Sequence, residues 1–271
     1  MKTPQKLVGG SVSFDHAADA YDATRALAPQ IDARRTDAIL AELQGVDADR
    51  LLEVGIGTGR IARPLMARGL RLTGVDIASR MMARLREQLT PAHATPDLLL
   101  ADATALPFGT ASFRAALVVH VLHLVSDWRR TLDEIRRVVA SGGVLLHDRT
   151  RYADDNPWHQ MFGKREELLA ALGFTPRIRP TVEDIESKLE AIGASLQTVV
   201  YAQEDEREVA ADVLNRSRNR VDSWTWEIPD EIFDTFFSQY EAYVHKTLGS
   251  PEFAHTTRVT YSLEVWAFDR A

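Results

Sequence analysis

The stretch Leu51 to Arg60 reads LLEVGIGTGR, an apolar run that enters glycines at Gly55, Gly57 and Gly59 with an acid, Glu53, just before them. Leu51 to Val54 is read as a buried parallel strand. The glycines let the backbone turn sharply and approach a ligand where any side chain would collide. The residues after Gly59, RIARPLMARG, have helical spacing. The sequence therefore predicts a strand running through a binding loop into a helix, the local unit from which an α/β fold is built.

Such loops serve both dinucleotides and S-adenosylmethionine (SAM), so the spacing has to discriminate. A dinucleotide loop follows GxGxxG, with its last glycine where strand and helix pack and a pyrophosphate at the helix N-terminus. Here that sixth position is Arg60 and the spacing is GxGxG. The next segment, RLTGVDIASRMM, reads as a second strand, Arg71 to Val75, ending in Asp76. A carboxylate at a strand tip can accept both hydroxyls of a ribose, which either cofactor requires; the alternative for Asp76 is a helix N-cap. A third apolar stretch, Asp97 to Leu100, leads into ADATALPF, where Asp102 could accept an adenine amino group or merely solvate a loop.

Taken in order, LLEVGIGTGR, GVDIASRMM, ADATALPF, VVHVLHLVSDW and LDEIRRVVASGGVLL resemble the motifs of class I SAM-dependent methyltransferases. The likeness covers Phe14 to about Thr150 and is to the small-molecule branch akin to the ubiquinone and menaquinone biosynthesis enzymes. It implies SAM as cofactor, with Glu53 and the backbone of Gly55 and Gly57 at the methionine end and Gly59 completing the loop. It further implies Asp76 at the ribose, Ile77 and Met81 on the adenine or ribose faces, and Asp102 with the Ala103 backbone at the adenine edge. Where the family usually has serine and proline after the ribose acid, this chain has Ala78 and Ser79, so no side-chain helix cap is expected there. The N-terminal stretch SFDHAADAYDATRAL resembles the helix that lies over the cofactor in the family, with Tyr21 and Arg25 at the inward positions. Four residues apart on one helix face, these two could close over a sulfonium and its carboxylate; an ordinary amphipathic surface helix is the alternative.

The resemblance implies a Rossmann-like seven-stranded, mostly parallel sheet with helices on both faces and a last strand antiparallel at the sheet edge, plus a helical lid. One methyltransferase domain is expected over 1–271. Its cofactor-binding core spans about 14–150 with 194–201 and 258–270, and its lid insertions span about 151–193 and 206–249. Within that frame Gly143 to His147 is the fifth strand, Trp158 to Leu172 and Thr181 to Ile192 are helical, and Ala194 to Tyr201 is the sixth strand. Thr181 with Asp184 has the spacing of a capping pair. The helix in the second insertion puts Ile232, Phe233, Phe236, Phe237, Tyr240 and Val244 on one apolar face, either its own core contact or part of an apolar pocket. Arg216, Arg218 and Arg220 read as a solvated face rather than an anion site.

Thirty-two basic against thirty-nine acidic residues give a net charge of −7, which argues against a broad nucleic-acid footprint. There is no cysteine, hence no thiolate nucleophile or thiolate metal site. No apolar stretch is long enough for a membrane span, and MKTPQKLVGG lacks the apolar core of a signal peptide, so a cytoplasmic location is expected. Asp154, Asp155 and Asn156 before Pro157 are explained by turn chemistry, and no metal is expected.

Methyl transfer is an in-line attack on an already activated sulfonium methyl, so such a site mainly aligns and dehydrates its reactants. The histidines of VVHVLHLVSDW, His120 and His123, with His147 and Asp148 at the end of the fifth strand, are the candidates for a general base. The resemblance gives the His120 backbone to the cofactor, which leaves His123 to face a small-molecule acceptor. A SAM-binding protein without transferase activity is the alternative within the fold. A nicotinamide oxidoreductase is disfavoured by Arg60 and by the lack of a hydride-transfer constellation such as Tyr-x-x-x-Lys.

Overall fold

A computed structural model describes residues 7–8, 10–15, 18–19, 21–22, 27–91, 93–177 and 179–269 of the 271-residue chain. The described residues fall into two compact units, one within 6–149, 179–202 and 261–271, the other within 150–178 and 203–260. The boundaries at 149/150, 202/203 and 260/261 lie inside long strands, and the one at 178/179 lies between two helices.

The first unit holds the sheet. Its strands are β3 (Arg50–Val54), β4 (Arg71–Asp76), β5 (Asp97–Leu100), β6 (Phe113–Val119), β7 (Val139–Tyr152), β8 (Ala194–Val209) and β9 (Ala254–Phe268). They lie in the order β5-β4-β3-β6-β7-β9-β8; a separate hairpin pairs β1 (Leu7–Val8) with β2 (Ser11–Val12). Strands β3 to β7 are mutually parallel, with Val54 opposite Val75 on one side and Val118 on the other. The sheet is mixed because its last strands are antiparallel. Strand order reverses at β3, and at such a switch point the chain leaves a crevice outside the carboxyl ends of the strands.

Alternation along the strands sends side chains into two cores. Leu52, Val54, Ala116, Val118 and Leu145 pack with Leu132 and Ile135 of α4 (Trp128–Val138) and with Ile185 and Leu189 of α6 (Val182–Ala191). Leu51, Leu72, Ala115, Leu117 and Leu146 pack with Ile39 and Leu43 of α1 (Pro29–Gly45), Leu65 of α2 (Ala62–Met66) and Leu85 of α3 (Ser79–Gln88). Burial on both faces is why these strands read as continuous apolar runs.

Several expected boundaries move. The fifth strand begins at Val139, directly after α4, and β8 runs through Val209 rather than ending at Tyr201. The last strand is antiparallel but not at the edge: β9 lies between β7 and β8, and β8 is the edge. The physical reason is in the side chains. Leu263 and Val265 of β9 fill one core and Trp266 and Phe268 the other, whereas β8 leaves Leu196 and Val200 exposed. Helix α6, expected in the first insertion, packs in the sheet unit, opened by the full Thr181–Asp184 capping box.

The second unit contains α5 (Trp158–Ala171), α7 (Ala210–Arg218) and α8 (Asp230–Leu248). The α8 stripe is its core: Phe236, Phe237 and Val244 are buried, Phe236 stacks on Tyr240 at 5.7 Å, and both meet Trp158 and Met161 of α5 in one cluster. Arg216, Arg218 and Arg220 are each paired with an acid, Glu208, Glu241 and Asp230 respectively. In the turn before α5, Asn156 accepts from the Trp158 N–H at 2.9 Å. Among the described residues no helix is long and apolar enough to cross a membrane. Phe236→Ala should cost this unit about 3–5 kcal/mol, the usual loss for a buried phenylalanine, measured by urea unfolding with limited proteolysis of 150–177 and 203–260 as the local readout.

Candidate functional site

Strand β3 delivers Val54 to the floor of the sheet, and the chain then turns through Gly55 to Gly59. Asp76, the last residue of β4, fixes this turn: the Gly57 N–H donates to its Oδ2 at 2.7 Å and the Ala78 N–H to its Oδ1 at 2.8 Å. Ala78 is the N-cap of α3 and makes no side-chain cap, as its residue type requires. Burial pushes the Asp76 carboxyl from 3.8 up to about 6, and the N–H groups of Ala78 and Gly57 pull the other way.

Two of the loop glycines have separate reasons. At Gly59, φ is +72° and a Cβ would stand 2.3 Å from Leu85 of α3, so glycine there lets loop and helix pack. At Gly57, φ is +55° and a Cβ would meet only the flexible end of Met81 at 3.4 Å, so glycine there keeps open the surface of a cleft. That cleft is lined by apolar side chains with a few polar groups among them, the usual make-up of a small-molecule site.

Most of the residues expected at a cofactor line this cleft: Tyr21, Gly55, Gly57, Asp76, Ile77, Met81, Asp102, Ala103 and His120. Gly59 and Glu53 stand behind the loop, and Arg25 lies outside the described residues. His123 is half-buried in the turn after β6 and does not line the cleft, whereas Val121, Leu124 and Val125 of the same turn do. His120 holds a left-handed backbone at φ +55°, a conformation uncommon for a residue with a side chain and one that concentrates at binding sites.

Sequence reasoning put Tyr21 of the N-terminal wall at the cofactor but did not single out the residues before it. Ser11, Val12 and Phe14 line the cleft, with Phe14 edge-on to Tyr21 at 5.5 Å. The wall is fastened by polar contacts: the Val12 N–H to the Leu124 carbonyl at 2.9 Å, the Ser126 N–H to Ser11 Oγ at 2.9 Å, and Asp22 to Thr58 and Arg63. The acids of SFDHAADAYD were the available signal. Also missed was the support of the Asp102 loop. Buried Glu134 accepts from the Leu106 N–H at 2.8 Å and pairs with Arg137, whose guanidinium donates to the carbonyls of Leu106 and Phe108. Hydrogen bonding to Arg137 holds the Glu134 carboxyl below its usual range.

Behind the loop is a group of buried charges. Glu53 is 2 % exposed, and Arg35 of α1 is 1 % exposed, so neither can rely on water. Desolvation drives Glu53 from 4.5 up to about 8, against the pull of Arg35 and Arg60. Arg35 pairs with Asp32 and stands 3.7 Å from Asp148, whose other oxygen accepts from the Tyr201 hydroxyl at 2.8 Å. Burial raises Asp148, and burial together with Asp148 raises Tyr201. On the opposite side of β7, His147 is buried against Glu264 at 3.1 Å. His147 and Asp148 are thus engaged with interior partners. Among the described residues no group of three metal-ligating side chains converges.

The cleft gathers the acids that end or follow two neighbouring strands. A carboxylate stands at the β4 tip, an aspartate follows β5, and a Cβ-free surface lies at Gly57. Residues 52–147 match the family described as "Methyltransferase domain". The segment is thus similar to the class I SAM-dependent methyltransferase domains. The chain is 29 % identical over 160 residues to a demethylmenaquinone methyltransferase of Renibacterium salmoninarum, covering 59 % of this chain and 65 % of that one. It is also 29 % identical over 157 residues to a malonyl-[acyl-carrier protein] O-methyltransferase of Serratia marcescens, covering 56 % and 58 % respectively. The chain thus spans less than two thirds of these curated relatives. In fold it is similar to the YcgJ protein of Bacillus subtilis, with a TM-score of 0.56 at 14 % identity over 87 % of this chain and 99 % of that one. A SAM-dependent methyltransferase from Methanosarcina mazei gives 0.53 at 15 % identity over 91 % and 100 %.

Two expectations follow for this domain. Gly59→Ala should destabilise it by about 1–3 kcal/mol through the Leu85 clash and the left-handed backbone, whereas Gly57→Ala should lose cofactor binding at a smaller stability cost; thermal melts with and without S-adenosylhomocysteine (SAH) separate the two. The folded chain keeps a proton on Glu53 that the unfolded chain releases above about pH 4.5, so Glu53 subtracts stability progressively between about pH 4.5 and 8. Glu53→Gln should therefore gain stability over the native ligand-free chain as pH rises through that window, the gain levelling off above it, as read by urea midpoints across pH.

Proposed function

We propose that this chain is a SAM-dependent methyltransferase acting on an oxygen, nitrogen or carbon of a small-molecule acceptor. The observation that carries the reading is Asp76, held at the tip of β4 by the Gly57 and Ala78 N–H groups beside a cleft that also receives Asp102 and Tyr21. The two relatives are named for different acceptors, demethylmenaquinone and malonyl-[acyl-carrier protein], so they support methyl transfer more than any one acceptor.

Bound SAM supplies a methyl group on a positively charged sulfur, activated for in-line displacement. The residues of this chain supply position and dryness. Asp76 takes the ribose hydroxyls, and Asp102, pre-oriented by the Thr104 N–H at 2.9 Å, takes the adenine amino group. Ile77, Met81 and Ala103 enclose the base, Gly55 and Gly57 let the backbone approach the methionine arm, and the His120 backbone closes the same end. Tyr21, set by Phe14, excludes water. His123, which does not line the cleft, is not assigned as a base, and Arg25 lies outside the described residues.

Isothermal titration should show binding of SAM and SAH and none of NAD. Asp76→Ala should weaken SAH about ten- to hundredfold, the value of a charge-assisted pair. Binding of NAD in place of SAH would return the loop to the dinucleotide class; SAH binding with no methyl transfer to any acceptor in a broad screen would make the chain a binding protein.

A further inference from the structure

The two edges of the sheet are built differently. Strand β5, at one edge, is four residues long, follows Pro96 and opens on Asp97, the short and charged construction that keeps a foreign strand away. Strand β8, at the other edge, is sixteen residues long, and among the described residues it pairs only with β9. From Ala194 to Gln203 it carries no charge and no proline, and Thr198, Val199, Val200 and Tyr201 are strong strand formers. A long, uncharged edge of this kind is a ready template for another strand.

Alternation divides the stretch between two faces. Val199 and Tyr201 pack against the core that holds α1, α2 and α3, whereas Leu196, Thr198 and Val200 lie on the opposite face and are exposed, Val200 by 53 %. Ala194 and Ala202, both buried, close the two ends of that row. Read along the strand, the row is Ala194, Leu196, Thr198, Val200, Ala202, nearly the same in size from either end. A two-fold axis through Thr198 in an antiparallel pair therefore sets Leu196 of each copy opposite Val200 of the other, and Ala194 opposite Ala202. Charge selects that register. Glu204, Asp205, Glu206 and Glu208 follow in the chain, and an axis moved toward them would set acids against acids. With the axis at Thr198 they lie beyond Ala194, where the facing strand begins.

We propose that β8 is the contact surface for a second copy of this chain, the two strands joining edge to edge about Thr198 into one continuous sheet. The row matches itself under a two-fold. The closed pair also leaves no unprotected edge, since both outer strands of the joined sheet are then β5. The inference is independent of the methyltransferase reading.

Because the chain has no cysteine, a single introduced one reports on the axis. In Thr198→Cys the two thiols meet at the two-fold, where facing Cα atoms are about 4.5–5.5 Å apart, and mild oxidation should give a disulfide-linked dimer. Gln203→Cys is the control: its two copies stand about ten residues, roughly 33 Å, apart along the pair and should stay unlinked. Sedimentation equilibrium should show the native chain passing from monomer to dimer with concentration. Val200→Lys should weaken that dimer about tenfold or more by setting a charge against Leu196. The double variant Leu196→Lys/Val200→Glu should restore it, because each new charge then faces its opposite across the axis. A native chain that stays monomeric, equal linkage at 198 and 203, or growth beyond a dimer overturns the proposal. So does a dimer indifferent to Val200→Lys, or a double variant no stronger than the single one. Should a charged variant fail to fold, the two cysteine variants decide by themselves: linkage at 198 alone supports the proposal, and linkage at both or neither overturns it.

Discussion

The structure of the site depends on one carboxylate that is bonded to backbone on both sides. Asp76 draws the Gly57 N–H and the Ala78 N–H to its two oxygens, and so fastens a flexible glycine turn to the end of a neighbouring strand. A loop with three left-handed glycines has large conformational freedom when unbound, and ordering it opposes folding and binding alike. By fixing the turn in the folded chain, Asp76 leaves less of that ordering to be done when a ligand arrives. The same group is desolvated, which is why its proton is held more tightly than that of an exposed aspartate.

Much of this was legible because it is written in spacing. Asp76 and Asp102 follow their strands at fixed short distances, and the structure puts both at one cleft. Parallel strands buried on both faces leave apolar runs that cannot be mistaken for solvated loops, and Thr181 with Asp184 announces a helix start that the hydrogen bonds confirm. What was not legible depends on contacts distant in sequence. Nothing local to Arg35 says that it will be buried between Asp32 and Asp148, and nothing local to Tyr201 points to Asp148. The place of β9 was missed for a related reason. Its residues alternate into two different cores, and only the completed sheet shows that both faces are covered.

The strand-end pair of β7 shows how alternation divides labour. His147 and Asp148 are adjacent, yet one meets Glu264 and the other meets Arg35 and Tyr201. Both were plausible bases in a sequence, and both are spent on the interior. A titratable residue at the end of a strand is therefore a weak guide to chemistry until its face is known, whereas a glycine run followed by a strand-tip acid is a strong guide because the backbone itself demands it.

The two sides of the cleft are held by different forces. The floor is backbone and apolar packing, while the N-terminal wall is fastened largely by carboxylates: Asp15 on the Arg80 N–H, Asp19 on Arg80 and Arg84, Asp22 on Thr58 and Arg63. Exposed ion pairs of this kind weaken as counterions screen them, and packing does not. Ionic strength thus acts selectively on the wall.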